Sequence, residues 1–203
     1  VNAEDLRARL IAITRQPPTG RVVYGETVLD TLGRAPTPAA VLVPVVMGGP
    51  PGILLTKRTS HLKDHAGQVS FPGGRIDPED PHPEGAALRE AQEEIGLPPR
   101  CVEVLGQLEP HVTGTGYRIS PVVGLIPPGL IYDPSPEEVE AVFELPVSVL
   151  LDPEAPRRQR QHVRGRWREY WVWPHPDHFI WGATAAILVH LAQRLRGDPV
   201  SLD

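Results

Sequence analysis

In the run Arg89-Glu90-Ala91-Gln92-Glu93-Glu94-Ile95-Gly96-Leu97, read as a helix, Glu90, Glu93 and Glu94 fall at i, i+3 and i+4, so three carboxylates share one face within a single turn. Like charges at that spacing repel, and Arg89 is the only cation in the run. Apolar Ala86, Ala87, Ile95 and Leu97 mark the opposite side as buried. A bound divalent cation would turn the repulsion into a ligand set. Ligands that are all oxygen suit the hard ions Mg²⁺ and Mn²⁺ rather than zinc, which favours His or Cys. His61, His65, His111, His162, His175 and His178 are scattered and give no zinc-ligand spacing.

The elements that must hold this face are legible around it. Pro83 followed by Glu84 predicts the helix start, and Gly96 with Pro98-Pro99 predicts its stop. Leu6, Leu10 and Ile13 give a helical stripe ending before Pro17-Pro18. Residues 16–38 read as irregular and residues 57–70 as polar connection. Ala39 to Met47 and Ile53 to Thr56 flank a Gly-Pro turn and read as a buried strand hairpin. Val102–Leu108, Ile119–Ile126 and Val139–Leu145 read as further strands. A hairpin is expected from Arg158 to Trp173, turning near Gly165, and an Ala-rich helix from Gly182 to Leu195, with Ile187, Leu188, Leu191 and Leu195 as its inner face. Strands and helices mix without regular alternation, which predicts an α/β fold with a mixed β-sheet between helices.

Composition bounds the rest. The 203 residues can bury one full core, and 40% hydrophobic with 22% charged content is an ordinary globular balance. The 25 prolines and 19 glycines are spread between apolar runs, and no repeat or long linker divides the chain, so a single domain over 1–203 is expected. A lone cysteine, Cys101, cannot form an intramolecular disulfide and reads as a packed side chain. No membrane span is expected, and Glu4 and Asp5 ahead of Arg7 and Arg9 do not read as a signal peptide, so the expected location is cytoplasmic. The net charge of −5 argues against general nucleic-acid binding. Oligomeric state is left open.

The carboxylate helix with its glycines resembles the signature of the Nudix hydrolases, G-x5-E-x7-R-E-U-x-E-E-x-G-U with U apolar. Gly74 supplies the first position and residues 89–97 the last nine. Asp80 stands where the family has its first Glu, with eight residues rather than seven before Arg89, and Glu79 is the alternative equivalent. The resemblance implies a Nudix-like α/β/α sandwich and metal-dependent hydrolysis of a nucleoside diphosphate derivative. It also implies that Glu90, Glu93, Glu94 and the Gly74 carbonyl hold Mg²⁺ or Mn²⁺. The expected catalytic set is Glu90, Glu93, Glu94 and Arg89, with Arg89 orienting a carboxylate. An acid from a later loop often completes such a site, and Glu137, Glu138 and Glu140 are the candidates.

Upstream, Leu54-Leu55-Thr56-Lys57-Arg58, then Gly67, then Phe71-Pro72-Gly73-Gly74 is similar to the motif of the coenzyme A pyrophosphatase branch, L-L-T-x-R-[SA]-x3-R-x3-G-x3-F-P-G-G. Thr59 replaces Ser or Ala, and Lys63 replaces Arg, so a planar fork becomes a point charge. Phe179 to Thr184 resembles, more weakly, that branch's last helix start. The branch implies cleavage of coenzyme A to 3′,5′-ADP and 4′-phosphopantetheine. Rivals are the same chemistry on ADP-ribose, NADH or an oxidised nucleoside triphosphate, and a Nudix-fold binding module without turnover. Lys57, Arg58 and Lys63 are the expected phosphate contacts, and Tyr117 and Arg118 are candidates for a base or phosphate.

Arg157, Arg158, Arg160, Arg164, Arg166 and Arg168 form the one long basic run, interleaved with Trp167, Trp171 and Trp173. Alternation would put Arg164, Arg166 and Arg168 on one face and the three tryptophans on the other, the pattern of a half-buried hairpin. Single-stranded nucleic acid is the lesser reading, because no RNA-binding motif accompanies the run.

Overall fold

The computed structural model describes residues 2–15, 18, 21–24, 35–62, 65–163 and 165–198. Lys63 and Arg164 lie outside them. Helix α1 (Ala3–Thr14) is capped by Asn2, whose side chain accepts from the Asp5 N–H at 2.8 Å. Strand β1 (Val23–Tyr24) precedes the long β2 (Thr37–Val46), and a turn containing a cis Gly49–Pro50 bond returns the chain along β3 (Gly52–Arg58). Next come β4 (Val69–Ser70), β5 (Gly73–Arg75) and the carboxylate helix α2 (Pro83–Ile95). The chain continues through β6 (Glu103–Gln107), β7 (His111–Val112), β8 (Tyr117–Ile126), β9 (Val139–Pro146) and the short α3 (Val147–Leu150). It closes with β10 (Arg157–Val163), β11 (Arg166–Trp173), β12 (Ile180–Trp181) and α4 (Gly182–Arg196).

Strands β1 to β9 make one mixed sheet with the spatial order β1-β7-β8-β2-β3-β4, to which β5 adds at β2, β6 at β8 and β9 at β3. At its centre β2 and β8 run parallel from Thr37↔Tyr117 to Val46↔Ile126. Because β2 is covered on both faces, it reads as a continuous apolar run. Leu42 and Val46 pack with Ala86, Ala87, Ala91 and Ile95 of α2 on one side. Val43 and Val45 pack with Leu6 and Leu10 of α1 and Leu188 and Leu191 of α4 on the other. Each Leu, Ile or Val among them contributes about 1.5–3 kcal/mol when fully buried, and each Ala less. The result is the expected mixed sheet between helices.

Helix α2 starts and stops where the sequence predicts. Pro83 occupies its first turn, the His82 side chain caps it by accepting from the Gly85 N–H, and Gly96 ends it in the left-handed conformation at φ 66°. Three expectations need amendment. Residues 16–38 contain β1 and the start of β2, and residues 57–70 contain the end of β3 and β4. The tryptophan face of the β10–β11 hairpin is buried only toward α4: Trp173 is fully buried, whereas Trp167 is 60% exposed. Trp171 lies between them under the Arg158 guanidinium, 4.2 Å from the ring centroid. Strands β10, β11 and β12 form a second, antiparallel sheet, with β11 packed against α4. Among the described residues, no helix is long and apolar enough to cross a membrane.

Candidate active site

The strand β5 brings Gly73 and Gly74 against the carboxylate face of α2. A Cβ on Gly74 would lie 2.5 Å from the Glu90 carboxylate, and one on Gly73 would run into the Ala40 carbonyl oxygen of the paired strand β2. Only glycine allows sheet pairing on one side and a carboxylate on the other. Glu94 turns inward from the next helical turn. It is 3% exposed, its Oε2 accepts from the Gly73 N–H at 3.2 Å, and its Oε1 lies 3.4 Å from Arg58 Nη1. Burial pushes the Glu94 carboxyl up to about 8, opposed by Arg58 and the Gly73 N–H and assisted by Glu138 and Glu90. Burial also raises Glu90, against the hydrogen bond from Arg89.

Arg89 is the hub of the outer side. Its Nε and Nη2 bind the two oxygens of Asp80 at 3.2 and 3.0 Å, and Nη1 reaches Glu90 at 3.0 Å and Glu93 at 3.1 Å. Nη2 also donates to the Arg75 carbonyl at 3.2 Å. The guanidinium thus ties the loop after Gly74 to the helix and hydrogen-bonds two of the helix carboxylates. Asp80, one residue early by spacing, occupies the position of the loop acid; its carboxyl is held below the usual range chiefly by the Arg89 hydrogen bond.

The three glutamates are not a closed coordination sphere. Among the described residues, no three His, Cys, Asp or Glu side chains already converge as one. Glu93, with its side chain 60% exposed, leans to Arg89, whereas Glu90 and Glu94 face β5. The donor set nevertheless fits a hard divalent cation: it is all oxygen, and burial leaves Glu94 short of positive charge, as its raised proton affinity records. Glu90, Glu94, Glu93 and the Gly74 carbonyl are the groups that would hold it. Of the three loop acids, Glu138 comes nearest, 3.9 Å from Arg58 Nη2 and close enough to raise the proton affinity of Glu90 and Glu94. Glu140 is instead paired with Lys57 at 2.7 Å, and the Glu137 carbonyl accepts from the Thr59 hydroxyl at 3.0 Å.

A cavity of about 430 Å³ opens beside this edge, lined by Gly73, Gly74 and Arg58 at the carboxylate side. Phe71, Ile119 and Ile187 make its apolar wall, and Tyr117 and Trp181 supply aromatic faces. Arg75, hydrogen-bonded to the Tyr117 hydroxyl at 3.2 Å, and Arg168 also line it. The Thr184 hydroxyl donates to the Val69 carbonyl at 2.9 Å and fixes the start of α4 to β4, so one wall of the cavity is anchored to the strand that precedes Gly73.

The structure therefore gathers Glu90, Glu94, Gly74, Arg58 and Tyr117 at one place, with Glu93 and Arg89 at its outer edge. It does not bring Lys57 there, nor Arg118, which is exposed on β8 outside the cavity lining. Sequence reasoning missed Phe71, Ile119 and Arg168 as cavity residues. The Phe179–Thr184 resemblance was the signal for Trp181 and Thr184. Arg168 carried only the signal of a basic run, which usually marks a solvated face.

The chain matches the NUDIX domain family over residues 36–175. It is 47% identical over 166 residues to the uncharacterized Nudix hydrolase NudL of an Enterobacter species, an alignment covering 79% of this chain and 84% of that protein. Identity to the Escherichia coli protein of the same description is 46% over 161 residues, with coverage of 79% and 84%. Among solved structures, the Nudix hydrolase RenU of M. smegmatis superposes with a TM-score of 0.52 at 21% identity, covering 83% of this chain and 91% of that one, a likeness of fold. With the glutamate helix seated on its glycine strand and relatives at this level of identity, the chain belongs to the Nudix hydrolase family.

Proposed function

We propose that the chain hydrolyses the pyrophosphate bond of coenzyme A or its derivatives, giving 3′,5′-ADP and 4′-phosphopantetheine. The observation that carries the reading is the cavity beside the glutamates, which Gly73, Gly74 and Arg58 line together with Tyr117, Trp181 and Arg168. Its volume of about 430 Å³ lies in the usual range for small-molecule sites. Aromatic faces suit a purine, cations suit phosphates, and the Leu54–Gly74 stretch resembles the motif of the coenzyme A pyrophosphatase branch, with Thr59 and Lys63 as departures.

In this reading Glu90, Glu93, Glu94 and the Gly74 carbonyl hold Mg²⁺ or Mn²⁺. When bound, the ion supplies charge neutralisation on the phosphoryl oxygens and activation of the attacking water. Arg89 positions Glu90 and Glu93 and anchors the loop through Asp80. Arg58 compensates the buried Glu94 charge and faces the pyrophosphate end of the cavity. Glu138 is the candidate to accept a proton from water, being the loop acid nearest the helix carboxylates. A lone half-buried thiol at Cys101 is consistent with the cytoplasm as the proposed location.

Turnover of a substrate panel tests the reading. Coenzyme A should give the highest kcat/KM among coenzyme A, dephospho-coenzyme A, ADP-ribose, NADH and an oxidised nucleoside triphosphate. If coenzyme A ranked among the poorest, another nucleoside diphosphate derivative would be the substrate. If nothing in the panel were cleaved, the chain would be a binding module.

A further inference from the structure

Arg168 lies on β11, in the sheet that packs on α4, far along the chain from the carboxylate helix. Its Nε is buried without a hydrogen-bond partner in the structure, yet the side chain lines the same cavity as Gly74. A buried guanidinium donor with no acceptor is costly unless a ligand completes it. Arg58, which the motif singles out for phosphate, lines the cavity too, but it is paired with Glu94 at 3.4 Å and lies 3.9 Å from Glu138, although its own Nε is likewise buried without a hydrogen-bond partner. Tyr117 and Trp181 line the same cavity, the latter in edge contact with Tyr170 at 5.5 Å between centroids. The cavity therefore offers one place for anionic charge beside the glutamates, aromatic surface for a base, and a separate cation at Arg168.

We infer that Arg168 binds a phosphate monoester on the nucleoside half of the substrate and so sets specificity for it. The inference rests on the proposed substrate, in which that group is the ribose 3′-phosphate. A guanidinium suits the role because its planar fork meets two phosphate oxygens at once, which a lysine cannot do.

The test separates binding from turnover. Calorimetry would compare adenosine 3′,5′-bisphosphate with AMP on the wild type, Arg168→Gln and Arg168→Lys, alongside kcat/KM for coenzyme A and dephospho-coenzyme A. The wild type should favour the 3′-phosphorylated ligands by about 10- to 100-fold. Arg168→Gln should lose that preference while AMP and dephospho-coenzyme A change by less than about twofold, and Arg168→Lys should keep part of it. Equal loss on both ligands of a pair, or a preference that survives Arg168→Gln, overturns the assignment. Should Arg168→Gln not fold, Arg168→Lys decides: partial loss of preference supports the assignment, and full retention contradicts it. A wild type that prefers the bisphosphate through Arg168 but leaves coenzyme A uncleaved sinks only the substrate proposal. A coenzyme A hydrolase whose preference ignores Arg168 sinks only this one.

Discussion

Asp80 and Arg89 form a two-pronged ion pair, Nε to Oδ1 at 3.2 Å and Nη2 to Oδ2 at 3.0 Å, and Asp80 Oδ2 also accepts from the Asp77 N–H at 2.9 Å. The loop is one residue longer than the family pattern, yet its acid reaches the helix arginine. A turn closed by the Asp80 N–H to the Asp77 carbonyl, at 3.0 Å, takes up the slack. Arg89 then shares its remaining nitrogen, Nη1, between Glu90 and Glu93, so the loop acid acts on the candidate metal ligands through one guanidinium.

Arg89→Ala should therefore lower kcat/KM by about 10- to 100-fold, and Arg89→Lys should not restore it, because a point charge cannot bridge Asp80 and two glutamates. Asp80→Asn should act in the same direction and more weakly. Steady-state kinetics with melting temperatures check this, and a fully active Arg89→Lys would show that charge alone suffices.

Replacing Glu90, Glu93 or Glu94 by Gln should cost a factor of about 10²–10⁴ in kcat, each ~1.4 kcal/mol of transition-state stabilisation being tenfold. Glu94→Gln has a further signature. It keeps an acceptor for the Gly73 N–H while removing a buried charge, so the metal-free variant should melt no lower than the wild type at pH 8 and above. Near-normal turnover in the Glu93 or Glu94 variant would place the metal elsewhere.

Gly74→Ala tests the seat of Glu90. The added Cβ would stand 2.5 Å from that carboxylate, whose flexible end can swing away, so the fold should survive and the ligand should be displaced. We expect weaker Mn²⁺ binding and a kcat loss of about tenfold or more, read by calorimetry and kinetics. Unchanged metal affinity would separate Glu90 from the metal site.

Proton release should accompany metal binding. Glu94 is raised from 4.5 to about 8 in the folded metal-free chain and has its ordinary value unfolded. Between those values the native state binds more protons than the unfolded state, so the Glu94 contribution makes metal-free stability fall as pH rises through that window. A cation needs the ionised carboxylate, so its affinity should climb with pH and level off near 8. Mn²⁺ titrations at pH 7 in buffers of different ionisation enthalpy should report about one proton released. No release would mean that Glu94 stays out of the coordination set.

Local chemistry was legible in the sequence, and long-range convergence was not. Pro83 and Gly96 bound α2 because a fixed φ and a left-handed cap are properties of single residues. Both faces of β2 were legible as one apolar run. The two-residue strands Val23–Tyr24 and His111–Val112 carry no period to read, and they exist because β7 pairs with both β1 and β8. Lys57 and Arg58 share one motif, but the register of β3 with β9 shifts between them, so they meet different acids. Arg168 reaches the cavity through the packing of a second sheet on α4, which no spacing encodes.

Cleavage of coenzyme A is read from the products formed in the presence of Mg²⁺ or Mn²⁺, separated chromatographically and identified by mass. Equal amounts of 3′,5′-ADP and 4′-phosphopantetheine are expected, with none formed when the metal is chelated. Intact coenzyme A under these conditions, or dephospho-coenzyme A with free phosphate, would contradict it.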